Sequence, residues 1–226
     1  MKKYLAIIPA LVLSTLLFTV NPVSGQRFHA GFSIGPTATE IGGLKTRNSN
    51  SGFHKLGYMF GGIVNTSPND KNTFQMELNY VQKGSMQPPD SMNQGYYKLA
   101  VDYVDMAFLF RHHIHFKIKQ KSIDQFDWEA GASLGRMMRH SWVLDNYPAP
   151  IDLNSMNMTD ISIFGGIDYN FSPKVCLNIR YSNSVIPVIK HNVIPSYLYT
   201  RFFNVGNNMA IQFTLKCVFG GAKSTD

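Results

Sequence analysis

The chain has 226 residues, 44% of them hydrophobic, and carries 21 Lys and Arg against 14 Asp and Glu. The formal charge of +7 is spread along the sequence, and its densest cluster, Lys117, Lys119 and Lys121 following Arg111, reads as solvated charge on a connecting segment. That distribution lacks the basic stripe or module motif of a nucleic-acid binder, and two cysteines are too few for a disulfide scaffold.

Met1 to Gly25 has the build of a secretory signal peptide: Lys2 and Lys3, an apolar stretch from Leu5 to Val20, then the small residues Ser24 and Gly25. Cleavage is expected before Gln26, which lowers the net charge from +7 to +5 by removing Lys2 and Lys3. Pro9, Ser14 and Thr15 interrupt the apolar stretch, which is short for a membrane anchor, and no Cys near the cut suggests a lipid attachment. No later stretch is apolar enough for a spanning helix, so residues 26–226 form one exported domain.

That domain reads as a series of alternating segments, each with apolar side chains on one face of a strand. The first is Arg27 to Thr37, with Phe28, Ala30, Phe32 and Ile34 in phase; the second is about Phe53 to Asn65, with Tyr58, Phe60 and Val64. In the third, Thr73 to Ser85, Phe74, Met76, Leu78 and Tyr80 oppose Gln75, Glu77 and Asn79. The fourth, about Lys98 to His112, has Val104, Met106, Phe108 and Phe110 in one phase but Leu99, Val101 and Tyr103 in the other, which suggests a bulge near Tyr103. The fifth is about Phe126 to Arg139, the sixth Thr159 to Phe171, the seventh Val175 to Ser184 and the eighth Asn208 to Phe219. Parity places Cys176 opposite Leu177 and Ile179 but Cys217 with Leu215 and Phe219, so no bridge between them is expected.

An even number of segments of about ten residues matches an eight-stranded antiparallel transmembrane β-barrel. Short turns at Ser67-Pro68-Asn69-Asp70 and Ser172-Pro173-Lys174, with a somewhat longer link at His113 to Gln125, alternate with larger links. Those larger links are Glu40 to Gly52, Gly84 to Tyr97, His140 to Asn157 and Asn183 to Asn207. Short periplasmic turns and long extracellular loops are the asymmetry of outer-membrane barrels. Tyr58, Phe74, Tyr80, Tyr103, Trp128, Tyr169, Phe171, Tyr181 and Phe219 lie near segment ends, where interfacial girdles form.

The opposite face carries Glu77, Asp105, Arg111, Asp127, Glu129, Asp168, Arg180 and Lys216, of both signs. In a narrow eight-stranded lumen such charges pair and fill the space. A carboxylate there needs a cation or donors, and Arg111 or Arg180 is the expected partner of Glu77. The alternative is a soluble periplasmic β-barrel binding protein, in which the same charges would face water.

Several blocks resemble one family, the PorT-like or porin-family outer-membrane β-barrel proteins of Bacteroidetes: "ELNYVQKG" (Glu77 to Gly84), "YVDMAFLFR" (Tyr103 to Arg111), "ASLGRMM" (Ala132 to Met138), "DISIFGGIDY" (Asp160 to Tyr169) and "IRYSNSV" (Ile179 to Val185). Ala107 stands where the family often has Pro, and the chain continues past Phe219 with "GGAKSTD". The resemblance covers nearly all of the chain after the signal. It implies an outer-membrane barrel in contact with lipid and with the barrel-assembly machinery, and little about activity, although one branch is associated with secretion.

Three constellations have residue types that could carry chemistry. Gly131-Ala132-Ser133-Leu134-Gly135 matches G-x-S-x-G, but it lies within an alternating segment rather than at a strand-to-helix turn. His112, His113 and His115 form a second candidate, in which His113 and His115 share a face, yet no carboxylate or Cys lies immediately beside them to complete a metal site. His140, Ser141 and Asp145 cluster after the fifth segment, as in lipid-modifying barrels, but are also ordinary loop content. The expectation is therefore no catalytic residue, metal or cofactor, and a structural, loop-presenting or assembly/secretion-accessory role, with an outer-membrane lipid-modifying enzyme as the alternative.

Overall fold

The computed structural model describes residues 28–42, 52–67, 71–89, 96–118, 121–144, 147–148, 156–189 and 206–219. Met1 to Gly25, where a signal peptide is expected, Asp145 and most of the long-loop residues lie outside them. Eight long strands form the ring: β1 (Phe28–Ile41), β2 (Lys55–Thr66), β3 (Asn72–Gln87), β4 (Tyr97–Ile118), β5 (Lys121–Leu144), β7 (Thr159–Ser172), β8 (Val175–Ser184) and β9 (Asn208–Phe219). A two-residue strand, β6 (Tyr147–Pro148), extends one end of β5. Each long strand pairs antiparallel with the next, and β1 pairs with β9, so the sheet closes and has no edge.

The faces are those of a membrane barrel. Along β7, Ile161, Ile163, Ile167 and Phe171 point outward and are exposed, whereas Asp160, Ser162, Phe164 and Asp168 point inward and are buried. Ile161 to Phe171 spans about 34 Å along the strand and roughly 25 Å along the normal at the usual tilt, the height of an outer-membrane apolar band. Aromatic clusters flank the band. Phe74, Phe110 and Trp128 associate toward the short-turn end, as do Tyr169 and Phe171. Tyr58, Phe60 and Tyr80 associate toward the other end. A soluble barrel would require the reverse arrangement, so that alternative is set aside.

Strand bounds depart from the sequence reading in several places, and β5 runs on to Leu144 rather than ending at Arg139. The link expected at His113 to Gln125 is instead a continuation of the β4–β5 hairpin, whose pairing runs to Ile118 opposite Lys121. Ile114, Phe116 and Ile118 alternate with His113, His115 and Lys117, so the strand period continues through a stretch whose dense charge reads as a link. β1 continues to Ile41 rather than ending at Thr37, and β2 begins at Lys55.

The phase change in β4 is not a bulge in that strand. β3–β4 pairing is regular throughout, and the register shift at Asp102/Tyr103 is against β5, where Met138 is the extra residue. Leu99, Val101 and Tyr103 simply point inward. Tyr103 is therefore an interior side chain, 0% exposed, and not part of a girdle.

Candidate functional site: a closed, charged interior

The interior has two zones. At the end bearing the long loops it is apolar: Ile41, Met59, Val81, Leu99, Val101, Tyr103 and Met137 pack together. Met156, Val188 and Ile189, from segments entering and leaving the loops, complete this cluster. These segments are tied across the mouth by a Met156–Ile189 bridge and by backbone bonds from Asn157 N to Val188 O (2.8 Å) and Val188 N to Gly206 O (2.6 Å).

Below this plug the lumen is filled by charge. Arg180, on β8, donates from Nη1 and Nη2 to the two oxygens of Glu77 on β3, each at 2.9 Å. This fork is the strong bidentate geometry of guanidinium and carboxylate. Its Nε donates to Glu129 Oε1 at 2.6 Å, and its guanidinium carbon lies 4.3 Å from the Phe164 ring centre. Glu129, on β5, also accepts from Lys216 Nζ at 2.7 Å and Asn178 Nδ2 at 2.9 Å. Lys216 reaches Asp168 at 3.0 Å, and Asp168 faces Arg111 Nε at 2.9 Å as an ion pair poorly angled for a hydrogen bond. Arg111 then donates to Asp127 at 2.6 Å, and Asp127 meets His113 Nδ1 at 2.6 Å. The ladder thus runs through Glu77, Arg180, Glu129, Lys216, Asp168, Arg111 and Asp127 toward the short-turn mouth.

Glycine makes room for this packing. A Cβ on Gly166, which pairs with both Glu129 and Arg180, would lie 2.6 Å from Ile179 O and 3.0 Å from Glu129 Oε1. A second cluster sits nearer the plug. Lys83 Nζ lies 2.7 Å from Asp160 and 3.0 Å from Asp105, while Asn208 also donates to Asp160 at 3.3 Å. The cavity between the clusters measures only about 10 Å³ and is lined by Asn79, Lys83, Asp105, Ser133, Arg180 and Gln212. That is room for about one water molecule.

All eight charged residues singled out from the sequence face this interior. Seven fall on the ladder; Asp105 joins Lys83 instead, and Arg111 reaches Gln75 (3.3 Å) rather than Glu77. Lys83 and Asp160 were missed, although Lys83 shares the parity of Glu77 and Asp160 that of Asp168. Ser133 lies within β5, opposite Ala107 and Ser162, with no helix after it. His140 and Ser141 continue the same strand, and Cys176 and Cys217 are both free thiols on β8 and β9. His113 and His115 do acquire carboxylate neighbours: Asp127, and Asp124 with Oδ1 2.8 Å from His115 Nδ1.

An apolar exterior around an ion-paired interior, closed without an edge strand, defines an integral outer-membrane β-barrel. The chain belongs to the outer membrane protein beta-barrel domain family, whose model matches residues 20–190. The outer membrane is accordingly its location. No match occurs among curated proteins. Among solved structures, the chain is similar to Neisserial surface protein A, with 14% identity over 87% of this chain and 100% of that one, at a TM-score of 0.43. It is also similar to Ail, the attachment invasion locus protein of Yersinia pestis, solved with the heparin analogue sucrose octasulfate, with 10% identity over 85% of this chain and 99% of that one (TM-score 0.36). A third is the outer membrane protein OprG from Pseudomonas aeruginosa, with 10% identity over 86% of this chain and 95% of that one (TM-score 0.33).

Proposed function

We propose that the protein is a non-catalytic barrel of the PorT-like group of Bacteroidetes, exported with cleavage of its signal before Gln26. Residues 26–226 act as one domain whose long outer loops engage a protein partner in a structural or assembly/secretion-accessory role. The observation that carries this reading is the filled interior. An apolar plug above and an ion-pair ladder below leave the interior, among the described residues, a void of only about 10 Å³ and no path for a solute. What a plugged barrel offers to other molecules is its apolar belt, which takes lipid, and its loops. Insertion itself requires the barrel-assembly machinery.

The test is cross-linking in native membranes followed by purification. It compares the natural chain with one whose 43–51 and 190–205 segments are replaced by Gly/Ser linkers. A partner captured by the first and lost from the second, with heat-modifiable migration unchanged in both, supports the proposal. Capture that ignores the exchange overturns it, as does steady conductance of the purified barrel in a planar bilayer. N-terminal sequencing of the membrane form tests cleavage before Gln26.

A further inference from the structure

The β4–β5 hairpin outruns the ring at the short-turn mouth. β3 leaves β4 at the Asn72–His112 pair and β7 leaves β5 at the Tyr169–Phe126 pair, while β4 and β5 stay paired to Ile118 and Lys121. At the base of this overhang, potential ligand atoms of His113, His115 and Asp124 all lie within 4.8 Å of one another. The two histidines are two residues apart on one strand, so they share a face. Their ring centres are 4.6 Å apart and the rings nearly perpendicular. Asp124 reaches across from β5, with Oδ1 2.8 Å from His115 Nδ1.

We propose that His113, His115 and Asp124 form a binding site for a divalent transition-metal ion of the zinc class at the short-turn mouth of the barrel. Two imidazoles with one carboxylate suit Zn²⁺, Ni²⁺ or Cu²⁺, whereas Mg²⁺ and Ca²⁺ favour all-oxygen shells. Three protein ligands leave a coordination position for water or an external donor. Ligands on a tetrahedral zinc at about 2.05 Å are about 3.3 Å apart, so side-chain rotation must bring atoms that now lie within 4.8 Å of one another to that spacing.

The surroundings are organised for this. Asp127 Oδ1 accepts from His113 Nδ1 at 2.6 Å, which leaves Nε2 as the nitrogen with a lone pair. Asp127 is itself held by Arg111 Nη2 at 2.6 Å, so the ladder through the lumen ends by orienting a metal ligand. His115 and Asp124 are about half exposed (51% and 47%) and offer an entry route, while His113 is more enclosed at 24%. A bound ion would join the two strands of the hairpin where the rest of the sheet no longer supports them.

The experiment uses the full mature protein in detergent, without a histidine tag and stripped by a chelator. Zn²⁺ affinity is measured by competition with a chromophoric chelator, and Co²⁺ is followed by its visible absorption. The expected result is one Zn²⁺ per chain. His115→Ala or Asp124→Asn should weaken binding at least tenfold, and His113→Ala/His115→Ala should abolish it. Asp127→Asn, acting through His113, should weaken it about ten- to a hundredfold and alter the Co²⁺ spectrum. His112→Ala, whose ring bonds Asn72 at 2.7 Å away from the cluster, should leave binding unchanged. Heat-modifiable migration checks folding of each variant, and His115 and Asp124 lie on the overhang, outside the ring. Absence of stoichiometric Zn²⁺ binding by the natural chain overturns the proposal, as does binding that survives in the double variant.

Discussion

Replacing Arg180 with Met tests whether the interior ladder holds the barrel together. Arg180 makes three charged hydrogen bonds, two to Glu77 at 2.9 Å and one to Glu129 at 2.6 Å, and covers the Phe164 ring. Glu129 keeps Lys216 and Asn178 after the change, but Glu77 is left with only the amide donors Gln75 (2.7 Å) and Asn79 (2.9 Å). Stranding a buried charge in this way costs about 3–5 kcal/mol, a large part of the roughly 5–15 kcal/mol that typically separates folded from unfolded chains. Urea unfolding in phospholipid vesicles, followed by emission from Trp128 and Trp142, measures the loss. The double variant Glu77→Gln/Arg180→Met removes the stranded charge and should regain about 1–3 kcal/mol relative to the single change. Stability of Arg180→Met within about 1 kcal/mol of the natural chain, or a double variant no better than the single, would refute the reasoning.

Leu78 is 54% exposed on the outer face and Glu77 is buried beside it in sequence; Leu78→Arg should impair insertion by about 2–4 kcal/mol, whereas Glu77→Gln should insert normally, as read from heat-modifiable migration. The opposite ranking would mean that inside and outside are exchanged. Gly135→Ala places a Cβ 2.0 Å from Asp105 Oδ1 and should lower stability by about 1–3 kcal/mol by pushing Asp105 off Lys83; an unchanged urea midpoint would contradict this. Ser133→Ala and Ser141→Ala should leave envelope lipids unchanged by mass spectrometry, and a lipid phenotype at normal barrel abundance would favour the enzyme reading.

Where a strand crosses lipid, its sequence states its orientation plainly. Val175–Ser184 and Asn208–Phe219 have the bounds that alternation indicates, because one face is apolar, the other polar, and the short turn around Pro173 punctuates the former. Legibility fails where that contrast fails. Near the plug the faces of β4 exchange character, the inward one turning apolar and the other carrying Lys98 and Asp102, so Leu99, Val101 and Tyr103 look like a phase slip when they are core. Below the band the β4–β5 overhang still alternates, Ile114, Phe116 and Ile118 against His113, His115 and Lys117, but its run of cations reads as a link, and Asp124 could not be set beside His115 without the cross-strand register. Lys83 and Asp160 share the correct parity but lie at the margins of their segments, Lys83 between Gln82 and Gly84 and Asp160 at the second position of its strand.

The single-parity placement of the interior charges bears on how the barrel is put together. A strand paired one residue out of step turns all of its inward side chains toward hydrocarbon at once. For β8 and β9 that would expose Arg180 and Lys216, each costing about 2–4 kcal/mol near the bilayer mid-plane, before any carboxylate is counted. The salt-bridge ladder is therefore a proofreading device as well as a filling. It makes the wrong register expensive while the hairpins are still choosing partners, and it does so hardest in the stretch where backbone hydrogen bonds alone could not tell one register from the next.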